Sequence, residues 1–201
     1  MNFKRTTKSI SLLLATISLV GILCGCGSSS NEITFRGIPF GTKASDALLA
    51  INLDLKEQGY SKEPTYNSFD TGLSVYYFDI MLYDYEANMF IEFNKDKEEK
   101  DGDATLAQCS YSIHCDSPEK TEACYKFFYN KLKSKYGKST VGGLNVRGDA
   151  FLKSDRWQNG DIVCDITTLK NNVWIIYGYK DDINVFGDAP TEGQKASDRG
   201  L

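Results

Sequence analysis

The chain has 201 residues, 41% of them hydrophobic and 12% aromatic, enough for one domain with a substantial core. Its 27 acidic residues outnumber 23 basic ones, a formal net charge of −4. No basic face accompanies that balance, which argues against nucleic acid as a partner, since such binding relies on grouped cations neutralising phosphates.

Lys4, Arg5 and Lys8 precede an apolar run over residues 10–23. The run is too short, and too closely followed by small residues, for a lasting membrane span; it reads as an export signal. It closes on Leu23-Cys24-Gly25-Cys26, which resembles the lipobox of bacterial lipoprotein signal peptides: an aliphatic residue, a tolerant position, a small residue, then cysteine. Cys24 stands at the tolerant position. The resemblance implies a signal peptide at 1–25 and lipidation of Cys26, which becomes the first mature residue. Two acyl chains on its sulfur are enough for stable anchoring. Residues 26–32 then form a flexible tether that holds a folded domain off the membrane. The implied location is the extracytoplasmic face of a cell membrane, and the tether style is similar to that of Gram-positive surface lipoproteins. An ordinary secretory peptide with incidental cysteines is the plainer alternative. Cleavage before Cys26 leaves 176 residues, with 20 basic against 27 acidic side chains.

The folded region is expected at 33–186. Ile33-Thr34-Phe35 reads as a short strand, and the turn over 36–42 leads into a helix with Thr42 as N-cap and Asp46 in its first turn. Ala47, Leu48, Ile51 and Leu55 give that helix a core stripe, and Gly59 suits its C-terminal cap. An aromatic and β-branched stretch over 69–86 predicts sheet, and Met89, Ile91 and Phe93 share one face of a further strand. Residues 94–103 are charged and read as a solvated turn. Over 105–115 the alternation is strict: Ala107, Cys109, Tyr111, Ile113 and Cys115 on one face, Gln108, Ser110, Ser112 and His114 on the other.

A second helix is predicted over 118–136. Ser117 caps it, Pro118 suits its first position, and Cys124, Phe127, Phe128, Leu132 and Tyr136 form its buried stripe before Gly137 stops it. A loop around Gly142-Gly143 leads to a strand over 150–157. A final hairpin pairs 162–169 with 173–179, and residues 187–201 form a polar tail, expected to be frayed. Runs of antiparallel strands separated by single helices predict an α+β fold: an antiparallel sheet with two main helices on one face, loosely two-fold repeated as helix plus strands.

The turn Phe35-Arg36-Gly37-Ile38-Pro39-Phe40-Gly41-Thr42 and its helix resemble the opening of small secreted domains built from helix-plus-sheet units. Lys135-Tyr136-Gly137-Lys138 after the second helix, succeeded by a strand carrying Trp157, is similar to the later part of those domains. Many such domains are lipoproteins, and their architecture is loosely akin to that of β-lactamase inhibitors. The resemblance implies fold and compartment and brings no active site, because the matched residues shape turns and caps.

Four cysteines remain in the mature domain, Cys109, Cys115, Cys124 and Cys164. An oxidising compartment permits disulfides, and Cys115 with Cys124 is the local candidate pair; buried free thiols are the alternative. No close cysteine pair marks a zinc site, so no metal is expected. His114, the one histidine, points away from the face of Cys115, which disfavours a thiol–imidazole couple. Asp79, Asp84, Glu86 and Glu92 lie near aromatic strands, and paired carboxylates there would suit a glycosidase. Solvated strand edges explain them more simply. Tyr76, Tyr77, Tyr83 and Tyr85 are a candidate recognition surface, since tyrosine joins rigid contact area to a polar tip.

No catalytic constellation, phosphate-cradling loop or cofactor motif emerges. The expected function is therefore a membrane-anchored, non-enzymatic binding domain meeting an envelope or extracellular protein. The alternatives are a cell-wall or polysaccharide hydrolase using carboxylates, or capture of a small ligand or metal.

Overall fold

A computed structural model of the protein describes residues 32–95, 103–147 and 150–183, by backbone alone for 143–147 and 150–152. The signal peptide, Cys26, most of the tether and the 187–201 tail lie outside the described residues, as does most of the charged 94–103 stretch. The elements are α1 (Ala44–Glu57), β1 (Thr65–Phe69), β2 (Gly72–Leu82), β3 (Tyr85–Asn94), β4 (Thr105–His114), α2 (Pro118–Tyr136), β5 (Val141–Arg147), β6 (Ala150–Asn159), β7 (Ile162–Leu169) and β8 (Asn172–Tyr179). All eight strands form one antiparallel sheet in the order β1-β2-β3-β4-β8-β7-β6-β5. With two helices beside it the fold is α+β and sheet-dominated. Among the described residues no helix is long and apolar enough to cross a membrane.

Register places the core. Tyr77, Met89, Tyr111, Ile175, Ile166 and Asp155 stand opposite one another from β2 to β6 and so share one face. Both helices pack on it. The Tyr77 hydroxyl donates to Asn52 Oδ1 of α1 at 2.8 Å, and the Tyr125 hydroxyl of α2 donates to Asp155 Oδ2. Ala47, Ile51 and Leu55 of α1, with Thr121, Cys124, Tyr125, Phe128 and Leu132 of α2, are buried against the sheet.

The segment before α1 is a strap rather than a strand. Phe35 and Ile38 make an isolated bridge around Arg36-Gly37, and Gly37 has φ +80°, which suits a residue without Cβ. Phe35 is buried between Tyr111 and Tyr177, at ring distances of 5.3 and 5.6 Å. Arg36 pairs with Asp54 at 2.6 Å and donates to the Tyr111 hydroxyl at 3.0 Å, fastening strap to helix and sheet.

Helix termini follow elementary capping with one exception. Ser117 Oγ accepts from Lys120 N at 3.3 Å, Pro118 opens α2, and Gly137 closes it at φ +84°. Trp157 Nε1 donates to the Gly137 carbonyl at 2.8 Å, which joins that terminus to β6. For α1, Lys43 and not Thr42 is the N-cap, with no side-chain cap bond. The Thr42 hydroxyl instead donates to the Pro39 carbonyl at 2.7 Å, and the Ala44 amide finds the Ala104 carbonyl at 2.8 Å. The backbone beside β4 satisfies the terminus, so no side-chain cap is needed.

Candidate functional site

The face of the sheet opposite the helices carries the candidate site. Alternation along each strand sends Tyr76, Phe90, Ser110 and Ile176 to that face in one row across β2, β3, β4 and β8. Asn88, Ser112 and Trp174 form the next row. Together they line an open concavity of about 440 Å³, with Phe78 and Gln108 at its margins. Its shape follows from residue size. The short side chains of Ser110 and Ser112 on β4 form the floor, and large apolar groups rise on both sides. Ser110 is buried, although it lies on the face away from the helices.

One wall is aromatic. Tyr76 and Phe90 meet across the β2–β3 pair with ring centroids 4.9 Å apart, and Phe78 stacks on Tyr76 at 6.4 Å and 10°. A bulge between Tyr77 and Ile80 shapes that wall. It turns Ile80 into the core while leaving Phe78 and Asp79 outward, so β2 keeps both its buried run and its exposed ring. Asp79 takes φ +55°, pairs with Lys62, and its amide donates to Asn88 Oδ1 at 3.2 Å. Lys62 holds the Asp79 carboxyl below the usual carboxylate range. The other wall is Trp174 and Ile176 of β8, both half-buried.

Beyond β8 the same face closes over a buried ion pair. In the row of Ile176 stand Asp165 of β7 and Arg156 of β6, joined at 2.7 Å (Nε–Oδ1) and 2.6 Å (Nη2–Oδ2). Asp165 is fully buried. Arg156 Nη2 also donates to the Ile183 carbonyl at 2.9 Å, and the buried Ile183 side chain lies against Gly178, where a Cβ would meet it at 2.9 Å. Gly178 thus leaves room for the chain to cross this face after β8. Burial pushes the Asp165 carboxyl up, and Arg156 opposes that shift.

Of the four tyrosines singled out in the sequence, the fold places Tyr76 alone on this face. Tyr77 is on the helix face. Tyr85 packs on Phe127 and Phe128 of α2 at 5.4 and 5.3 Å. Tyr83, in the β2–β3 turn, meets Phe127 edge-on at 5.3 Å, with Lys131 Nζ 4.8 Å over its ring. The residues that join Tyr76 are Phe90, Trp174 and Ile176. Period-two alternation carries the signal for them, since Met89, Ile91, Val173 and Ile175 face the core and their neighbours must face away.

The chemistry-bearing residues are dispersed. Asp84 and Glu86 are exposed around the β2–β3 turn, and Glu92 lies half-buried on the open face in the row of Gln108. His114 is exposed at the end of β4, its Nδ1 3.1 Å from Asn172 Oδ1. Among the described residues, no three His, Cys, Asp or Glu side chains gather as metal ligands would. Tyr125, Asp155 and Ser139 form a polar cluster, with Ser139 Oγ donating to Asp155 Oδ1 at 2.9 Å. It lies under α2 and ties helix to sheet. Cys109, Cys115, Cys124 and Cys164 are all buried thiols. No protein-family model matches this chain, and no curated protein or solved structure is significantly similar to it.

Proposed function

We propose that this chain is a lipid-anchored, extracytoplasmic binding protein that meets another envelope or extracellular protein through the open face of its sheet. The observation that carries the reading is the Tyr76–Phe90–Trp174–Ile176 concavity. Large apolar side chains stand half-buried around a serine floor, with Gln108 and Asn88 at hand for directional bonds. Such an arrangement of aromatic anchors with polar neighbours is the usual make-up of a protein-binding patch.

The anchor reading rests on Leu23-Cys24-Gly25-Cys26 and the basic, then apolar, run before it. Lipid on Cys26 would hold the domain at the membrane within a few residues of Ile33. A Gram-positive surface is the setting the tether style favours. We further read the fold as two units, α1 with β1–β4 and α2 with β5–β8. The strand order supports this, because β4 meets β8 at the centre and β1 and β5 lie at opposite ends.

Capture of a small apolar ligand is the second reading, favoured by a volume within the range of small-molecule sites. Fractionation tests the anchor: Cys26→Ala should leave an uncleaved precursor or release the protein from membranes. A variant that fractionates and migrates like the parent chain contradicts it.

A further inference from the structure

Charge is unevenly spread over this acidic protein. Residues 126–138, the second half of α2 and its cap, hold five lysines and no carboxylate, a local excess that the whole-chain balance hides. Elsewhere lysines stand beside acids, as Lys43 does with Asp103 and Lys180 with Asp161, each at 2.8 Å. Of the five, Lys126 has such a partner, Glu122 at 3.3 Å. Lys131, Lys133, Lys135 and Lys138 form no ion pair among the described residues. Aromatic rings stand in their place. Lys131 Nζ lies 4.8 Å over Tyr83 and 5.4 Å over Phe127, and Lys133 Nζ 6.0 Å over Tyr129. A ring face attracts an ammonium without neutralising it, so the charge stays available to an outside anion. Partial burial pulls Lys135 below the usual lysine value, which leaves Lys131, Lys133 and Lys138 as the main free charges.

Helical geometry spreads these groups over the solvent side of α2. Thr121, Tyr125, Phe128 and Leu132 set its buried direction. At about 3.6 residues per turn, Lys131 then falls on one flank and Lys126 and Lys133 on the other, with exposed Asn130 and Ser134 between them. Tyr83, 39% exposed, extends the flank of Lys131. The entry of the chain points the same way. Phe35, three residues after Glu32, is buried between Tyr111 and Tyr177, and register puts both rings on the helix face of the sheet. The described chain thus joins the sheet on the side where α2 packs, opposite the Tyr76–Trp174 concavity.

We propose that the outer side of α2, with Lys126, Lys131, Lys133 and Lys138 as its charges and Tyr83 as an interfacial ring, rests on the anionic headgroups of the membrane that holds the chain, so that the concavity faces away from the bilayer. The proposal rests on the anchor reading. From Cys26 to Ile33 an extended chain reaches at most about 25 Å, so lipid on Cys26 makes the contact intramolecular and a weak patch suffices. Each lysine close to an anionic surface strengthens the contact severalfold. Lysine and tyrosine together suit the headgroup level, where an aromatic body and a charged tip are both satisfied. The acidic remainder of the surface is repelled by the same lipids, which favours this one orientation. A partner then meets the Tyr76–Trp174 face from the outside.

The test places an environment-sensitive fluorescent amino acid at Ser134, on the outer side of α2, or in a second chain at Phe78, on the rim of the concavity. The full chain is reconstituted into vesicles of phosphatidylcholine, alone or with roughly a third phosphatidylglycerol, that carry a headgroup-labelled quencher lipid. In about 0.1 M salt the Ser134 probe should be quenched about twofold or more in the anionic vesicles relative to the neutral ones. Raising salt to about 0.5 M should remove that difference, because exposed charges are then screened. Lys131→Gln, Lys133→Gln and Lys138→Gln together should remove it too, while the Phe78 probe stays unquenched throughout. Equal quenching at Ser134 in the two vesicle types, none in either, quenching confined to Phe78, or a lysine variant quenched like its parent would overturn the proposal. A Ser134 probe that ignores vesicles yet responds to soluble polyphosphate would assign the lysines to an anionic polymer, and overturn it as well. The anchor is read separately, from the mass of the chain recovered with the vesicles. An unlipidated chain held by its apolar leader contradicts the lipid on Cys26 but still reports where α2 lies.

Discussion

Tyr76 and Phe90 face each other across β2 and β3 on the side of the sheet opposite α1 and α2, their ring centroids 4.9 Å apart. The pair is one wall of a concavity whose other wall is Trp174 and Ile176, two strands away. Aromatic cross-strand pairs stabilise a sheet modestly. Their placement around a floor of small serines gives the face a shape that a partner can fill.

Truncating those walls should therefore separate binding from folding. Phe90→Ala with Trp174→Ala should cost on the order of 1–2 kcal/mol of stability, since both rings are half-buried, and should weaken partner binding at least tenfold. Denaturant unfolding and pull-down from surface extracts measure the two effects. A variant with undiminished capture would show that the partner binds elsewhere.

The buried Arg156–Asp165 pair makes the opposite case. Arg156→Ala leaves the fully buried Asp165 without its cation and the Ile183 carbonyl without its donor. The loss should be on the order of 3–5 kcal/mol, seen as a lower urea midpoint. Replacing both partners with apolar residues of similar volume should recover much of it.

At the sheet–helix junction, Asp155→Ala removes the acceptor for both Tyr125 and Ser139. Thermal unfolding should report a loss of about 1–3 kcal/mol. The helical far-ultraviolet signal of the folded state should change little, because α2 keeps its caps and its apolar stripe.

Alkaline stability follows from the buried phenols. Burial raises Tyr77, Tyr111, Tyr125, Tyr136 and Tyr177, with Tyr111 pushed up to about 12 and Arg36 pulling it partly back. The unfolded chain ionises its tyrosines near pH 10. Below that value both states are neutral and these groups take nothing from stability; above it only the unfolded state gains from ionising. Stability should fall as pH rises from about 10. Absorbance at the tyrosinate band should show a group of phenols that ionise only with unfolding. A smooth titration of all twelve tyrosines on the folded protein would contradict this.

Local signals made much of the fold readable from residues. Ser117, Pro118 and Gly137 bound α2 as capping chemistry requires, and the alternation over β4 gave its two faces from Gln108 to His114; before that a bulge at Ala107 shifts the phase, so that Leu106 and not Ala107 joins the core. Two strands escaped because their residues do not alternate. β1, Thr65–Phe69, is an edge strand exposed at every position, so no apolar period marks it. β5 contains Gly142-Gly143, which reads as a loop, yet Gly142 is a strand residue where a Cβ would meet Asp155 Oδ1 at 2.1 Å. Only pairing with β6 reveals why glycine is there. Thr42 was displaced as a cap by backbone from the distant residue Ala104, a tertiary contact that local sequence does not announce. The site was half legible: each strand gives its own outward residues, but which strands lie side by side decides whether those residues meet. β4 and β8 are separated by most of the second half of the chain, and their contact is what brings Trp174 to Ser112.

The open face as a partner surface is tested most directly by site-specific photocross-linking on intact cells. A benzophenone amino acid is placed at Ser112 on the floor of the concavity, and in a second variant at Ser134 on the exposed side of α2. A discrete heavier adduct from the Ser112 position, absent from the Ser134 position and lost when Phe90→Ala and Trp174→Ala are added, is the predicted result. No adduct at position 112, or an adduct at 134 alone, would contradict a binding role for this face.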